Sequence, residues 1–258
     1  MKRLAGTAFA VLAVTTPLAL SQGEGSYQSA GIEFGTTAPA TATFEDIAID
    51  YVNPGDPEGK PPAVRTVETI LQGGARYDST AVPVCTATDA ELMTQGEAAC
   101  PPESKIGEGQ TTVDTGGPEP GRIVEVDVDF FNNTGELIYL TTVQPAGAHT
   151  VIRGQAFKRR TVTELDMLPG FPPDGGAIDT VQIRIGTVAG EADAEPSGYL
   201  TTPRRCPKRG SWINRIRFTY ANGTTQETSN EVPCTKPGVS SGSVPDVNVA
   251  ASAEDRSH

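Results

Sequence analysis

The densest set of groups that could do chemistry is Glu125, Asp127 and Asp129, in the run IVEVDVDFF. Carboxylates at every second position project from one face of an extended strand, about 7 Å from one to the next. Paired carboxylates run glycoside hydrolysis at separations of roughly 5–10 Å. They also bind calcium, but calcium ligands must converge, and a straight strand spreads them. No EF-hand loop pattern follows. The plainest role for the three is a solvated face, paired across strands with Arg184, Arg215 or Arg217. Trp212 and Tyr220 could stack on sugar rings if exposed, but their place on the apolar side of an alternating strand predicts core. Glu125, Asp127, Asp129 and Trp212 are the candidate ligand face.

Other patterns carry less. Gly238-Val-Ser240-Ser-Gly242 matches GxSxG, which needs a strand before it and a helix after. Here it sits in a polar Ser/Gly tail, and its base would have to be His149 or His258, the only histidines. No catalytic residue, cofactor or metal site is expected, and the spacing CxxC does not occur. Arg204, Arg205, Lys208 and Arg209 crowd Cys206, and Lys158-Arg159-Arg160 makes a second basic cluster. In a chain of net charge −12, such clusters either hold an anionic polymer, for instance a wall polysaccharide, or pair with the chain's own acidic loops.

The elements that must position these residues are strands. Within the stretch from Tyr199 to Cys234, Trp212, Ile216, Phe218 and Tyr220 alternate with Arg215, Arg217 and Thr219, and Asn214 is the polar exception on the apolar side. Asn222-Gly223 predicts a tight hairpin turn with two positive-φ residues, and 224–232 runs back. Val124, Val126, Val128 and Phe130 oppose the three acids. Further strands are expected near 31–34, 41–52, 64–71, 105–114, 137–143, 151–157, 160–168 and 178–188. Thr88-Asp89-Ala90-Glu91 is a capping box, which predicts one short helix over 88–95 that ends near Gly96. The stretches 53–62, 115–121 and 169–176 are rich in Pro and Gly and break the chain.

About a dozen short strands with no strand–helix alternation predict an all-β protein, an antiparallel β-sandwich. The domain should span 30–235, with a candidate sub-boundary near 115–121. Residues 22–29 form a flexible leader, and 236–258, which lack aromatics and periodicity, a disordered tail.

Lys2 and Arg3 precede an apolar run from Leu4 to Leu20, and Ala19-Leu20-Ser21 fits a cleavage site, so residues 1–21 read as a secretory signal peptide. The mature chain is then expected to be extracellular, with no membrane anchor. The acidic balance disfavours nucleic acid as a partner. Four cysteines in an exported chain point to disulfides. Four allow three pairings. Cys85–Cys100 and Cys206–Cys234, each closing a local loop, are the pairing expected.

Three blocks carry a resemblance: LQGGARYDSTAVPVC…AACPPESKIGEG at 71–109, the Pro-rich loop at 169–176, and GYLTTPRRCPKRGSWINRIRFTYANGTTQETSNEVPC at 198–234. Together they resemble a recurring, uncharacterised type of secreted β-rich protein from high-GC Gram-positive (actinobacterial) bacteria. The resemblance implies a secreted, disulfide-bonded β protein and no activity. The expected function is a non-enzymatic extracellular binding or structural protein, with a cell-wall or extracellular glycan as candidate partner. The alternatives are a carbohydrate-active module, whether glycan-binding or an acid-residue glycosidase, and a calcium-stabilised adhesin. The Asn132 and Asn222 sequons carry no weight in a bacterial chain.

Overall fold

The computed structural model describes residues 28–51, 56, 59–165, 168–187 and 195–235. The expected signal peptide, the GxSxG match and the whole of the expected tail lie outside them. Among the described residues the chain is all-β and antiparallel, with one short α-helix. The strands are β1 (Gln28–Phe34), β2 (Ala42–Thr43), β3 (Glu45–Tyr51), β4 (Val64–Ile70), β5 (Arg76–Tyr77), β6 (Lys105–Asp114) and β7 (Ile123–Asn133). After these come β8 (Glu136–Val143), β9 (Ala148–Phe157), β10 (Arg160–Glu164), β11 (Ala177–Ile185), β12 (Leu200–Thr201), β13 (Ser211–Tyr220) and β14 (Thr225–Pro233). The helix α1 spans Asp89–Gln95.

Eleven strands form one sheet in the order β1-β3-β11-β6-β7-β8-β9-β10-β4-β13-β14, and β2-β12-β5 form a second, small sheet. The large sheet is thus continuous, a sheet curled on itself rather than two stacked layers. Its edge strands meet. Every neighbouring pair is antiparallel, so the first and last of eleven strands must run in the same direction, and a regular antiparallel ladder cannot close them. Side-chain amides close the seam instead. Asn230 on β14 accepts from the Ile32 N–H (3.0 Å) and donates to the Ile32 carbonyl (2.9 Å). Gln226, four residues earlier, does the same for Gln28, four residues before Ile32. Gln28 and Ser29, expected in a flexible leader, are therefore part of β1, and Gln28 is buried.

The inner faces fill the barrel. Ile32, Phe130, Leu137, Trp212, Ile216, Phe218 and Tyr220 are all nearly or wholly buried there. Each such side chain contributes about 1.5–3 kcal/mol relative to exposure. Phe34 meets Trp212 edge-on at 5.8 Å. A second core lies outside the barrel wall. Phe131, Ile138 and Leu140 on the outer face of β7–β8 are covered by Leu92 of α1 and the Cys85–Cys100 disulfide. The helix forms at its predicted place because Thr88 and Glu91 make both halves of the capping box.

Cys206–Cys234 closes the β13–β14 hairpin. The turn between them is not the expected two-residue one. Asn222 keeps a negative φ, and only Gly223 enters the left-handed region, at +81°. The Gly223 N–H donates to the Tyr220 carbonyl, and the Tyr220 N–H to the Thr224 carbonyl. This is a three-residue loop ending in a glycine bulge. Asn222 contributes through its side chain, whose Oδ1 accepts from the Thr224 N–H and hydroxyl. The stretch 115–121 joins β6 to β7, which pair along their length, so no boundary falls there.

Candidate functional site

The acidic strand behaves as a set of separate pairs. Asp127 accepts from the Gln110 amide (3.1 Å) and the Gln144 amide (2.6 Å). Asp129 holds Lys105 Nζ at 2.7 Å, and Lys105 also reaches Glu108 at 3.1 Å. Burial pushes the Lys105 ammonium down, but its carboxylate bonds outweigh this and hold it above its ordinary value. The arginines expected opposite the acids are engaged elsewhere. Arg184 pairs with Asp46 at 2.6 Å, while Arg215 and Arg217 pair with Glu227. The reason is sheet order: β7 lies between β6 and β8, so its outer face meets their residues and not those of β11 or β13. Trp212 is fully buried, its indole N–H donating to the Arg205 carbonyl at 3.1 Å. It shares no face with the acids. Among the described residues, no three His, Cys, Asp or Glu side chains are grouped to hold a metal ion.

The two basic clusters, about fifty residues apart in sequence, come together. Both pack against the exposed turn Gln72-Gly73-Gly74 at one end of the barrel. The Arg159 and Lys158 carbonyls accept from the Leu71 and Tyr77 N–H groups, at 3.0 and 2.8 Å. Arg209 donates to Gln72 Oε1 at 2.8 Å and to the Ser211 carbonyl at 2.9 Å. Gly74 lies against Pro203 and Arg204. Lys158, Arg159, Arg204, Arg205, Lys208 and Arg209 are all exposed. None of the six forms an ion pair with a described carboxylate, whereas Arg76 and Arg160 beside them pair with Asp78 and Glu68. Internal pairing, the plainer expectation for these clusters, is thus seen at Arg160 and not at the other six cations among the described residues. The acidic loop 190–198 lies largely outside them.

An open groove of about 290 Å³ continues from this end along the outer wall. Gln155 and Phe157 of β9, Arg160 and Val162 of β10, Thr66 and Glu68 of β4, and Arg217 and Thr219 of β13 line it. Glu68 lies between the two guanidiniums, 2.8 Å from Arg160 and 3.0 Å from Arg217. Arg160 also covers the Phe157 ring, 4.7 Å from its centre, yet Phe157 remains 44% exposed. Its position on an otherwise amphipathic strand gave no sign of this. Only the sheet order brings Arg217 and Glu68 beside it.

A further site was missed in the sequence. Glu45 is buried inside the barrel, where Tyr77 Oη donates to its two carboxylate oxygens at 2.9 and 3.1 Å. Burial pushes the Glu45 carboxyl up to about 8, against the Tyr77 bond, and the neighbouring Asp46 adds to the rise. The sequence signal was present: Glu45 is in phase with the inward Ile47 and Ile49. A carboxyl so raised has the character of a general acid. Glu45, Tyr77 and Tyr199 are 1%, 7% and 0% exposed, so substrate does not reach them here, and the cluster is a structural one. Asn132, seen in sequence only as a sequon, is also structural. Its amide nitrogen donates to the Ser79, Val82 and Pro83 carbonyls and pins the loop before Cys85.

The two disulfides fit an oxidising compartment, and no helix among the described residues is long and apolar enough to cross a membrane. Comparison with protein-family models, with curated proteins and with solved structures gives no match.

Proposed function

We propose that this chain is a secreted, non-enzymatic binding protein of the cell exterior, and that its basic end holds an anionic surface polymer. One observation carries this reading. Six exposed cations lie on two distant segments that pack against one turn, without a described carboxylate to neutralise them, in a chain of net charge −12. Leaving like charges together costs electrostatic energy unless an anion joins them. The signal-like N-terminus, the two disulfides and the resemblance to secreted actinobacterial proteins support the location. The acidic strand gives little to a glycosidase, since Asp127 and Asp129 spend their carboxylates on Gln110, Gln144 and Lys105.

The test is titration of the mature chain with polyanions of the wall type, bearing phosphate or carboxylate. The comparison is with the variant Lys158→Ser, Arg159→Ser, Arg204→Ser and Arg205→Ser. Binding should weaken with salt and fall at least tenfold in the variant. Equal affinity in both chains would remove the basic end from the account.

A further inference from the structure

The outer groove adjoins the basic end, and its lining differs in kind from the cation cluster. Lys158 and Arg159 follow directly on Phe157, so a polymer bound at the turn runs past the groove mouth. The groove offers an exposed ring, a carboxylate, two guanidiniums, an amide and two threonine side chains. Sugar rings are bound by this combination: aromatic faces take their C–H surfaces, and paired planar donors and acceptors take adjacent hydroxyls. The arrangement is held in place beforehand. Arg160 is fixed by Glu68 and the Phe157 ring, and Arg217 by Glu68 and Glu227. The volume, about 290 Å³, lies at the small end of ligand sites, roughly 300–1,000 Å³. That suits one sugar residue of a chain rather than a large compact ligand.

We infer that the groove seats a sugar ring of the same polymer that the basic end holds, so that the partner is an acidic glycan. This rests on the polyanion reading above and adds to it a reason to discriminate among polyanions. A polymer with charge but no sugar satisfies the cations and leaves the exposed surface of the Phe157 ring, 44% open to solvent, uncovered. An acidic glycan satisfies both.

The experiment compares a polyuronate, a sulfated glycosaminoglycan and inorganic polyphosphate of similar length. Each is titrated against the wild-type mature chain, Phe157→Ala and Phe157→Tyr at physiological salt. At least one glycan should bind the wild type about tenfold tighter than polyphosphate does. Phe157→Ala should lose that preference with polyphosphate affinity unchanged, and Phe157→Tyr, which keeps the ring, should retain it. If polyphosphate binds as tightly as both glycans and Phe157→Ala changes nothing, the groove plays no part and the basic-end reading stands alone. If none of the three polymers binds, the basic-end reading fails, and the groove inference with it.

Discussion

Replacing Glu45 by Gln should remove a large pH dependence from the stability of this fold. In the unfolded chain the Glu45 carboxyl titrates near its ordinary value of 4.5, and in the barrel near 8. Between those values the folded state binds one more proton than the unfolded state. Stability linked to Glu45 is therefore fully present below about pH 4.5 and is lost as pH rises to about 8. The slope is about 1.4 kcal/mol per pH unit, so the whole window amounts to roughly 5 kcal/mol. That is a large part of an ordinary domain's total stability, about 5–15 kcal/mol. Glutamine mimics the neutral acid and still accepts from Tyr77, but it does not titrate. Any packing cost of the change is independent of pH, so the difference between the two chains isolates the titration. Urea unfolding of both proteins, with disulfides intact, should be followed from pH 5 to pH 8.5. Wild type should weaken against Glu45→Gln by several kcal/mol across this range. Parallel stability profiles would mean that Glu45 is ionised or hydrated in the folded state, and that the interior cluster is misdescribed.

The two disulfides close loops of different length, with sequence separations of 28 and 15. Chain entropy assigns about 3–4 and about 3 kcal/mol to them. Cys206→Ser with Cys234→Ser should still lower the melting temperature more than Cys85→Ser with Cys100→Ser, because β13 and β14 build the barrel interior and its seam; equal losses would place the hairpin outside the core. Asn230→Ala strips the seam of two hydrogen bonds to Ile32 and should cost about 1–3 kcal/mol, with faster amide exchange at Ile32. Unchanged exchange there would mean that packing alone closes the barrel. A chelator should leave the melting temperature unmoved, since the acids of β7 are spread and engaged; a drop of several degrees would revive the calcium-stabilised adhesin.

The alternating segments were legible because burial on one face leaves a period of two, so β7 and β13 were assigned side chain by side chain. Capping chemistry is local, so α1 was legible too, as were both disulfides. What failed was non-local. Two-residue strands such as β5 and β12 carry no periodicity. The curling of one sheet on itself depends on which edge meets which, and Gln226 and Asn230 read as ordinary polar residues until β1 stands beside them. The same gap explains the acid face: Arg184, Arg215 and Arg217 suit Asp127 and Asp129 in charge, but sheet order gives those places to Gln110, Gln144 and Lys105. The basic clusters were visible as charge runs, yet their meeting at Gln72-Gly73-Gly74 is a property of topology.

The most direct test of the basic end is a residue-level footprint. Lysine acetylation of the mature chain should be mapped by mass spectrometry with and without a bound acidic polymer. Lys158 and Lys208 should be protected, while Lys60, which bonds the Gly175 carbonyl at the opposite end of the barrel, should label equally in both states. Protection of Lys60 alone, or no protection at Lys158 and Lys208 under saturating polymer, would contradict the account.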